Sequence, residues 1–306
     1  MNEVLVSIIT VNYRQAEVTN ALINSLSAVS DPAFELIVVD NDSGGSEPGK
    51  INTGPSFVRL VQSDYNRGFA GGNNLGYRSA RGKYILFLNN DTEVPPDFMQ
   101  AMLGLLEADE KVGAVSPKIC YYDSPDTIQY AGYTKMNPFT LRMHALGFRE
   151  QDHGQHEVLR ETPFAHGCAM MVPRRVIGDV GLMRETYFLY YEEHDWSMRI
   201  RRAGYRIMYQ PASRVYHKES MTIVKDSPLK THYINRNRIL FMRYHTDGFS
   251  KLVASAYLIL VSIPKNTIVF LLSGKWRHMR VYASAIRWHI RHPSIHAIED
   301  KPMPSH

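Results

Sequence analysis

The stretch YILFLNNDTEVPP, residues 84–96, decides how the fold of this chain is interpreted. Five apolar or aromatic residues run directly into two asparagines and an aspartate, Asn89, Asn90 and Asp91. A continuous apolar run of this length is typical of a strand buried on both faces of a sheet. Because open α/β sheets bind ligands outside the carboxyl ends of their strands, the polar triplet is a candidate binding element.

The segments on either side of this stretch alternate between strand and helix patterns. They predict strands at 4–11, 34–42 and 57–63, helices at 16–26 and 96–109, and a glycine-rich turn entering a helix at 69–80. Such alternation indicates an α/β fold with a doubly wound, mostly parallel sheet. The second predicted strand also ends in acids, Asp40 and Asp42, so two polar strand ends are expected at one edge.

Beyond residue 110 the pattern is less regular. It predicts strands at 112–122 and 206–211, a long loop over 135–160, a strand followed by a helix start at Pro173, and a helix within 190–207. In that last helix Trp196, Ile200 and Ala203 share one face, and Gly204 provides the C-terminal stop.

The composition bounds the class of protein. With 306 residues, 44% hydrophobic and 21% charged, the chain has room for one large domain or a domain with an appendage. Two cysteines give no disulfide framework, so a reducing compartment is expected. The N-terminus has no basic region or small-residue cleavage site and predicts a first strand rather than a signal peptide.

Two glycine-containing segments imitate nucleotide-binding motifs without matching them. Residues 76–84, GYRSARGKY, have five residues between the glycines and a tyrosine where a P-loop requires Ser or Thr. Residues 68–76, GFAGGNNLG, contain no G-x-G-x-x-G fingerprint. Their glycines fit either a tight turn or a close backbone approach to a ligand.

Three acidic or imidazole elements are candidates for chemistry. Asp91 could hold a divalent cation that neutralises a diphosphate, or could simply cap a turn. The cluster EEHD, 192–195, follows an aromatic run, where carboxyl pKa values tend to rise as a general base requires; the alternative is a solvated helix N-terminus. His217 alone is more often a structural histidine than a ligand.

In their order along the chain, these elements resemble the family 2 inverting glycosyltransferases of the GT-A fold. The similarity is greater to the rhamnosyltransferase-like branch that builds bacterial surface polysaccharide, and it runs from about residue 4 to residue 245. Six segments carry it: VSIITVNYRQ, LIVVDNDSGG, NRGFAGGNNLGYRSARGKYILFLNNDTEVPP, GCAMMVPRRVIGDVG, FLYYEEHDWSMRIRRAGYRI and VYHKES.

The resemblance implies roles for the donor-side residues. Asp91 would be the metal-binding acid that closes the family's D-x-D element, while Asn89 stands where many relatives carry the first aspartate. Asp40 would contact the base or ribose of the nucleotide. The other positions that fall around the nucleotide and donor sugar are Val11, Tyr13, Asp42, Arg67, Gly68 and Asn90.

The resemblance also implies the catalytic residues. EEHD matches the family's E-D-x-D element, in which Glu193 falls on the catalytic base and Asp195 is the second acid. Glu192 and Asp195 are the alternatives for the base. His217 would complete the metal shell or touch the diphosphate.

The activity implied is inverting transfer of a sugar with Mg²⁺ or Mn²⁺. The donor would be dTDP-rhamnose or another hexose on UDP, and the acceptor a hydroxyl of a glycan or a polyprenyl-diphosphate-linked sugar in cell-wall, O-antigen or capsule assembly. A sugar nucleotidyltransferase is the runner-up, but residues 12–20, NYRQAEVTN, lack the glycine-rich basic loop it needs. A non-catalytic sugar-nucleotide-binding protein is the second alternative, and a homodimer is left open.

The C-terminal segment has a different character from the rest. Residues 252–274 are apolar but interrupted at 264–266, so each half is too short to span a bilayer. In the basic, aromatic segment that follows, Val281, Ala285 and Trp288 share one helical face. Another face carries Arg280, Arg287 and Arg291.

This pattern predicts an interfacial helix on an anionic membrane; the alternative is an appendage packed on the catalytic domain or a second subunit. The predicted organisation is a catalytic domain at 1–245, with a donor half at 1–115 and an acceptor half at 116–245, and a tail at 246–306. The expected location is the cytoplasmic face of the cell membrane. No nucleic-acid-binding module is recognisable, so no nucleic acid is expected as a partner.

Overall fold

The computed structural model describes residues 4–30, 32–42, 44–218 and 227–295. The strands in these ranges are β1 (Val6–Asn12), β2 (Phe34–Asn41), β3 (Val58–Ser63), β4 (Tyr84–Leu88), β5 (Thr92–Glu93), β6 (Val112–Tyr121), β7 (Ser124–Tyr130), β8 (Arg160–Glu161), β9 (Ala169–Pro173) and β10 (Arg206–His217). The α-helices are α1 (Ala16–Leu26), α2 (Gly68–Ser79), α3 (Gln100–Ala108), α4 (Arg174–Val180), α5 (Glu192–Arg202), α6 (Pro228–His245), α7 (Gly248–Tyr257), α8 (Ile263–Leu272) and α9 (Trp276–Arg291).

The strands form one mixed sheet in the order β3-β2-β1-β4-β9-β6-β10-β5, with β7 on β6 and β8 on β10. Strands β3, β2, β1 and β4 are parallel to one another, and β10 is parallel to β6. Strand β9 is antiparallel to both of its neighbours. The predicted α/β fold is therefore confirmed, but the sheet is mixed: it is parallel from β3 to β4 and antiparallel at β9 in its centre and at β5, β7 and β8.

Alternate residues of the central strands face two different cores, as expected for a doubly wound sheet. On β1, Ile8 packs in the core that α1 and α3 cover, whereas Ile9 packs in the core that holds Trp196. Phe87 of β4 meets the Trp196 ring edge-on, with the centroids 5.4 Å apart. The predicted inner face of α5 is correct for Trp196 and Ile200, but Ala203 is exposed because the helix has already ended at Arg202.

The segment predicted as a glycine-rich turn entering a helix is helical over nearly its whole length, and the turn is confined to its start. Helix α2 begins at Gly68, whose φ of +67° takes up the turn, and its later glycines lie against β1. A Cβ on Gly76 would stand 2.4 Å from Cγ2 of Ile9, and one on Gly72 would stand 2.9 Å from the methyls of Val11. Glycine is needed there because the helix backbone approaches the strand too closely for any side chain.

The apolar tail is one helix, which corrects the predicted interruption at Pro264. Residues Gly248–Leu272 are continuous through a π-helical turn between α7 and α8, and by length and composition alone they could cross a membrane. Twenty-five residues at 1.5 Å each give about 37 Å. Pro264 is tolerated because it lies in the first turn of α8, directly after the π turn.

Helix α9 is packed on one side and exposed on the other. His278, Tyr282 and Ala285 are buried in contacts that include α6 and α8, so the alternative of a packed appendage describes this face. Arg280, Arg287 and Arg291 are exposed, as the sequence predicts. The last eleven residues of the predicted tail, 296–306, lie outside the described ranges, as do Glu219 and Ser220 of the VYHKES segment.

Candidate active site

The carboxyl ends of β1, β2 and β4 are joined by a chain of buried side-chain hydrogen bonds. Asn90 Nδ2 donates to Thr19 Oγ1 at 3.1 Å, and Thr19 Oγ1 donates to Asn12 Oδ1 at 2.8 Å. Asn12 Nδ2 in turn donates to Asp40 Oδ1 at 2.9 Å. Asp40 is only 2% exposed. The chain fixes the strand ends that flank Asp91, and Asn12 and Thr19 are members that sequence reasoning missed.

Asp91 and His217 are in contact although 126 residues separate them in sequence. His217 Nε2 lies 3.1 Å from Asp91 Oδ1, and its Nδ1 lies 2.8 Å from Gln129 Oε1. The antiparallel pairing of Thr92 with His217 brings the two residues together. Gln129, which the sequence did not single out, orients the imidazole ring.

The donor set here fits a divalent ion that is shared with a substrate diphosphate. One carboxylate and one imidazole are adjacent, whereas no group of three or more His, Cys, Asp or Glu able to hold a metal occurs among the described residues. Mg²⁺ is commonly held by one or two carboxylates together with substrate phosphates and water. Asn89 comes two residues before Asp91, and its backbone N–H donates to the carbonyl of Cys168, the residue before β9, at 2.8 Å.

Glu192 and Glu193 begin α5 and differ in their protonation. Burial and the neighbouring charge of Glu193 raise the pKa of Glu192 well above its usual value. Burial also acts to raise the pKa of Glu193, but His194 and a backbone N–H group at the start of the helix outweigh it, so this pKa is lowered. The predicted rise is therefore found at Glu192 and not at Glu193, which is the ionised member of the pair.

One of the two carboxylate oxygens of Glu193 accepts no hydrogen bond from the described residues. Its Oε1 lies 3.1 Å from His194 Nδ1, and its Oε2 has no hydrogen-bond partner among the residues that the structure describes. The side chain lies over Gly167, where even an added Cβ would be in ordinary contact at 3.6 Å. A carboxylate held in this way can accept a proton from a hydroxyl group that reaches it.

Asp195 lies on the same helix but is wholly buried among charged partners. Its oxygens lie 2.6 Å from Arg184 Nη1, 2.9 Å from Arg199 Nε and 2.7 Å from His245 Nε2. Burial acts to raise the pKa of Asp195, but the hydrogen bond from His245 and the charges of the two arginines lower it overall. The arrangement ties α5 to α6 and to the segment before α5.

Sequence reasoning did not single out His166. Burial and the neighbouring His217 lower its pKa to about 3, with Glu193 opposing the change, so its ring is neutral. The ring is parallel to that of Tyr133, with centroids 6.0 Å apart, and its Nδ1 accepts from the Cys168 N–H at 3.1 Å. Glu193 lies over Gly167, and the Cys168 carbonyl accepts from the Asn89 N–H, so the segment 166–168 contacts both Glu193 and the strand end that carries Asp91.

The remaining predicted donor residues lie near the ends of β1 and β2 and the start of α2. Val11 and Tyr13 are half-buried, and Asp42 follows β2 with a φ of +61°. The Arg67 guanidinium lies 4.1 Å above the Tyr65 ring. Gly68 follows it at the first position of α2.

A cavity of about 450 Å³ opens beside His217, on the side away from β1 and β2. Its lining includes Tyr121, Tyr122, Arg149 and Lys218. The Lys218 ammonium lies 4.6 Å from the centroid of the Tyr122 ring. Aromatic and cationic side chains therefore meet on the far side of the Asp91–His217 pair.

Comparison with known proteins identifies a family and two relatives of this chain. The profile of the family described as "Glycosyl transferase family 2" matches residues 7–181. The chain is 26% identical over 239 residues to the low-salt glycan biosynthesis hexosyltransferase Agl10 of Haloferax volcanii, covering 76% of this chain and 74% of that protein. It is 25% identical over 277 residues to the N-acetylglucosaminyl-diphospho-decaprenol L-rhamnosyltransferase of Mycobacterium tuberculosis, covering 81% and 87%.

Among solved structures, the mannosyltransferase PcManGT from Pyrobaculum calidifontis, in complex with GDP-Man and Mn²⁺, matches with a TM-score of 0.57. The match covers 95% of this chain and 76% of that one at 18% identity. This likeness shows that the two chains share the GT-A fold.

Proposed function

This chain belongs to glycosyl transferase family 2, and from that premise we propose that it transfers a sugar from a nucleoside diphosphate to a hydroxyl group with inversion at the anomeric carbon. The observation that carries the proposal is that the segment 166–168 contacts Glu193, which lies over Gly167, and also contacts Asn89, two residues before the Asp91 that pairs with His217. The first donor to consider is dTDP-rhamnose, because a relative over most of the chain is named a rhamnosyltransferase. Membership of this family disfavours the nucleotidyltransferase alternative.

Asp91 and His217 would hold Mg²⁺ or Mn²⁺ together with the diphosphate of the donor. The ion supplies positive charge against the negative charge that develops on the leaving group. The buried chain from Asn90 to Asp40 keeps Asp91 in place and gives the nucleotide a rigid edge to bind. Residues 1–115 would form this donor half.

Glu193 would act as the general base. The acceptor oxygen forms a bond to the anomeric carbon while the bond from that carbon to the phosphate oxygen breaks. The hydroxyl proton passes to Glu193 and later to solvent, so no covalent sugar–enzyme intermediate is needed. The lowered pKa of Glu193 keeps it ionised at neutral pH, and Glu192, with its raised pKa, adds no second negative charge nearby.

The acceptor would enter through the cavity beside His217, which makes residues 116–245 the acceptor half. Arg149 suits an anionic group such as a diphosphate, and the tyrosines suit a sugar ring, whereas Lys218 is paired with Glu93 at 2.6 Å and Asp123 also lines the cavity. The name of the mycobacterial relative, which includes a diphospho-decaprenol, supports a polyprenyl-diphosphate-linked acceptor for this chain as well.

We expect the purified protein to release nucleoside diphosphate from one donor only when acceptor and Mg²⁺ or Mn²⁺ are present. The screen uses dTDP-rhamnose, UDP-hexoses and GDP-mannose, each with and without a polyprenyl-diphosphate-linked sugar. EDTA should abolish the release, and the Asp91→Asn variant should lower it by roughly 10²-fold or more.

The exposed acid Asp97, six positions beyond Asp91, provides the matched control as Asp97→Asn, which should keep full activity. Turnover that survives EDTA would remove the metal from the proposal and keep the transferase. Binding of a donor without turnover under every condition would favour the non-catalytic alternative.

The tail supports association of this protein with a membrane surface. Leu252, Leu260 and Leu272 of the Gly248–Leu272 helix are each more than 60% exposed, so apolar surface faces outward along its length. Lys265, seven residues before the end of this helix, would be costly inside the hydrocarbon core of a bilayer. The helix also contacts α6, where Arg238 Nη2 donates to Ser262 Oγ at 2.6 Å, so a position along the surface fits better than a spanning one.

Vesicle binding should depend on the exposed face of α9. Replacing Arg280, Arg287 and Arg291 together by glutamine should weaken binding of the full chain to vesicles containing phosphatidylglycerol on the order of 100-fold at low salt. Co-sedimentation measures it, and wild-type binding should fall as salt screens the charges.

Three exposed arginines on the catalytic domain serve as controls for that experiment. The combined Arg78, Arg175 and Arg201 replacements remove the same charge elsewhere on the surface and should leave vesicle binding unchanged. Equal losses in the two triple variants would mean that net charge alone drives binding. Wild-type binding that does not change with salt concentration or lipid charge would contradict a role of the basic face of α9 in vesicle binding.

A further inference from the structure

The segment that leads into α5 has an unusual backbone. Phe188, Tyr190 and Tyr191 have φ values of +63°, +68° and +77°. Aromatic residues rarely adopt this left-handed region, because their Cβ collides with the backbone there. Such conformations persist only when the surroundings hold them in place, and here they come directly before Glu192 and Glu193.

Two neighbouring residues of α6 hold this segment by its carbonyl groups. Asn237 Nδ2 lies 2.9 Å from the Tyr187 oxygen, 2.8 Å from the Leu189 oxygen and 2.7 Å from the Tyr190 oxygen. Two amide hydrogens thus serve three acceptors. Arg236 Nη2 donates to the carbonyl oxygens of Thr186 and Tyr187.

Arg236 also sets the orientation of the amide. Its Nε donates to Asn237 Oδ1 at 2.8 Å, so the amide nitrogen must point to the carbonyls. Arg236 is 1% exposed and Asn237 is fully buried. Burial lowers the pKa of Arg236 to about 10, and its side-chain hydrogen bonds to Asn237, Thr186 and Tyr187 all go to uncharged oxygens. Burying a guanidinium in this way is costly, so a task other than stability would account for it.

The same segment is tied to the donor side of the site. The Phe69 N–H, in the first turn of α2, donates to the Phe188 carbonyl at 2.6 Å. A Cβ on Gly68 would collide with that carbonyl at 2.2 Å, so the contact requires glycine. One strained segment therefore spans the distance between the donor-side helix and the acids of α5.

We propose that Asn237, oriented by Arg236, is a positioning residue for Glu193, an inference that rests on the proposed transferase function. By fixing the Tyr187, Leu189 and Tyr190 carbonyls, Asn237 determines where α5 begins and where the Glu193 carboxylate lies relative to the donor. Asn237 contacts neither the donor nor the acceptor site. Its loss should change the chemical step and leave donor binding intact.

The test compares Asn237→Ala with Asn235→Ala in the full chain. Asn235 lies on the same helix and uses its amide to bond the Thr231 carbonyl at 2.8 Å, away from the strained segment. We expect Asn237→Ala to lower kcat about 10²-fold with the donor KM changed less than about twofold, because misplacement of a reacting group by an ångström has an effect of that order. Asn235→Ala should change neither constant by more than about twofold.

A pH profile separates positioning from a general loss of packing. In the Asn237→Asp variant, only the protonated carboxyl group can donate to a carbonyl. The three carbonyl oxygens disfavour its ionised form, whereas the Arg236 guanidinium beside it favours that form. The kcat of this variant should therefore lie well below that of wild type wherever the carboxyl is ionised, and the ratio should rise as the pH falls from about 8 to about 5 and the carboxyl gains its proton. A variant that keeps wild-type kcat throughout this range would contradict the proposal.

A second readout does not depend on activity. Amide hydrogen exchange in the 187–195 segment should become faster in Asn237→Ala and stay unchanged in Asn235→Ala. If wild-type protein turns over no donor, the proposed function fails and exchange alone decides whether Asn237 holds the segment. Unchanged exchange, or a parallel loss of kcat and donor affinity in Asn237→Ala, would overturn the inference.

Discussion

The Glu193→Gln variant will lose turnover by roughly 10³-fold, within the range usual for removal of a general base. Glutamine has the same shape but cannot accept the proton of the acceptor hydroxyl. Donor affinity should stay within about twofold of wild type, since Glu193 lies with His166 and Gly167 rather than with the residues at the β1 and β2 ends. Steady-state kinetics and calorimetric titration with the donor measure the two quantities separately.

Glu192 supplies the matched control for this experiment. The raised pKa of Glu192 favours its protonated form, which Glu192→Gln mimics, so this variant should keep kcat within several-fold of wild type. If Glu192→Gln is the inactive variant and Glu193→Gln the active one, the two roles are exchanged.

The pH dependence of wild-type kcat follows from the pKa values of Glu192 and Glu193. A base works in its ionised form, and the pKa of Glu193 is lowered, so wild-type kcat should fall only at pH values below the ordinary glutamate pKa of 4.5. An acid limb near neutral pH would instead point to a group with a raised pKa.

Asp195→Asn should lower the free energy of unfolding by about 3–5 kcal/mol at neutral pH, as removal of one member of a buried ionic cluster does. The substitution leaves Arg184, Arg199 and His245 without their shared carboxylate. Because the folded pKa of Asp195 is lowered, its contribution is present above the unfolded pKa and is lost as the pH falls through the folded pKa. The difference between wild type and variant should therefore shrink below about pH 4.

Urea unfolding at several pH values measures this loss, and Asp109→Asn is its control. Asp109 pairs with Arg206 at the surface, where both side chains are about one-third or more exposed, so its loss should cost about 1 kcal/mol or less. Wild-type stability combined with lost turnover in Asp195→Asn would return Asp195 to the catalytic role that its place in EEHD suggests.

Local sequence patterns were sufficient to predict helices and strands whose apolar residues follow a simple period or an unbroken run. The period of its apolar residues predicted α1 over 16–26, the range that the structure has, and the apolar run at 84–88 predicted β4. The glycines of 68–76 led to the prediction of a turn because glycine has a low helix propensity. In the structure these glycines lie in α2, where the close contact with β1 leaves no room for a side chain. Pro264 misled in the same way, since a π turn accommodates it.

Only those residues of the site that belong to sequence motifs could be predicted. The pairing of Asp91 with His217 was expected from their motifs, but the four side chains that surround Asp195 among the described residues come from 184, 187, 199 and 245. No local pattern links those positions. His166 was missed because a single histidine between two apolar residues and a glycine resembles any core segment.

The direction of strand β9 determines which residues lie at the ligand-binding edge of the sheet. In a parallel sheet every connection at the ligand-binding edge leaves a strand, so the residues offered there follow strands. Because β9 runs the other way, Ala169 at its start lies opposite Leu88 at the end of β4, and the chain arrives at this edge instead of departing from it. His166 and Gly167 owe their place in the site to that reversal, and a search confined to strand ends would pass over them.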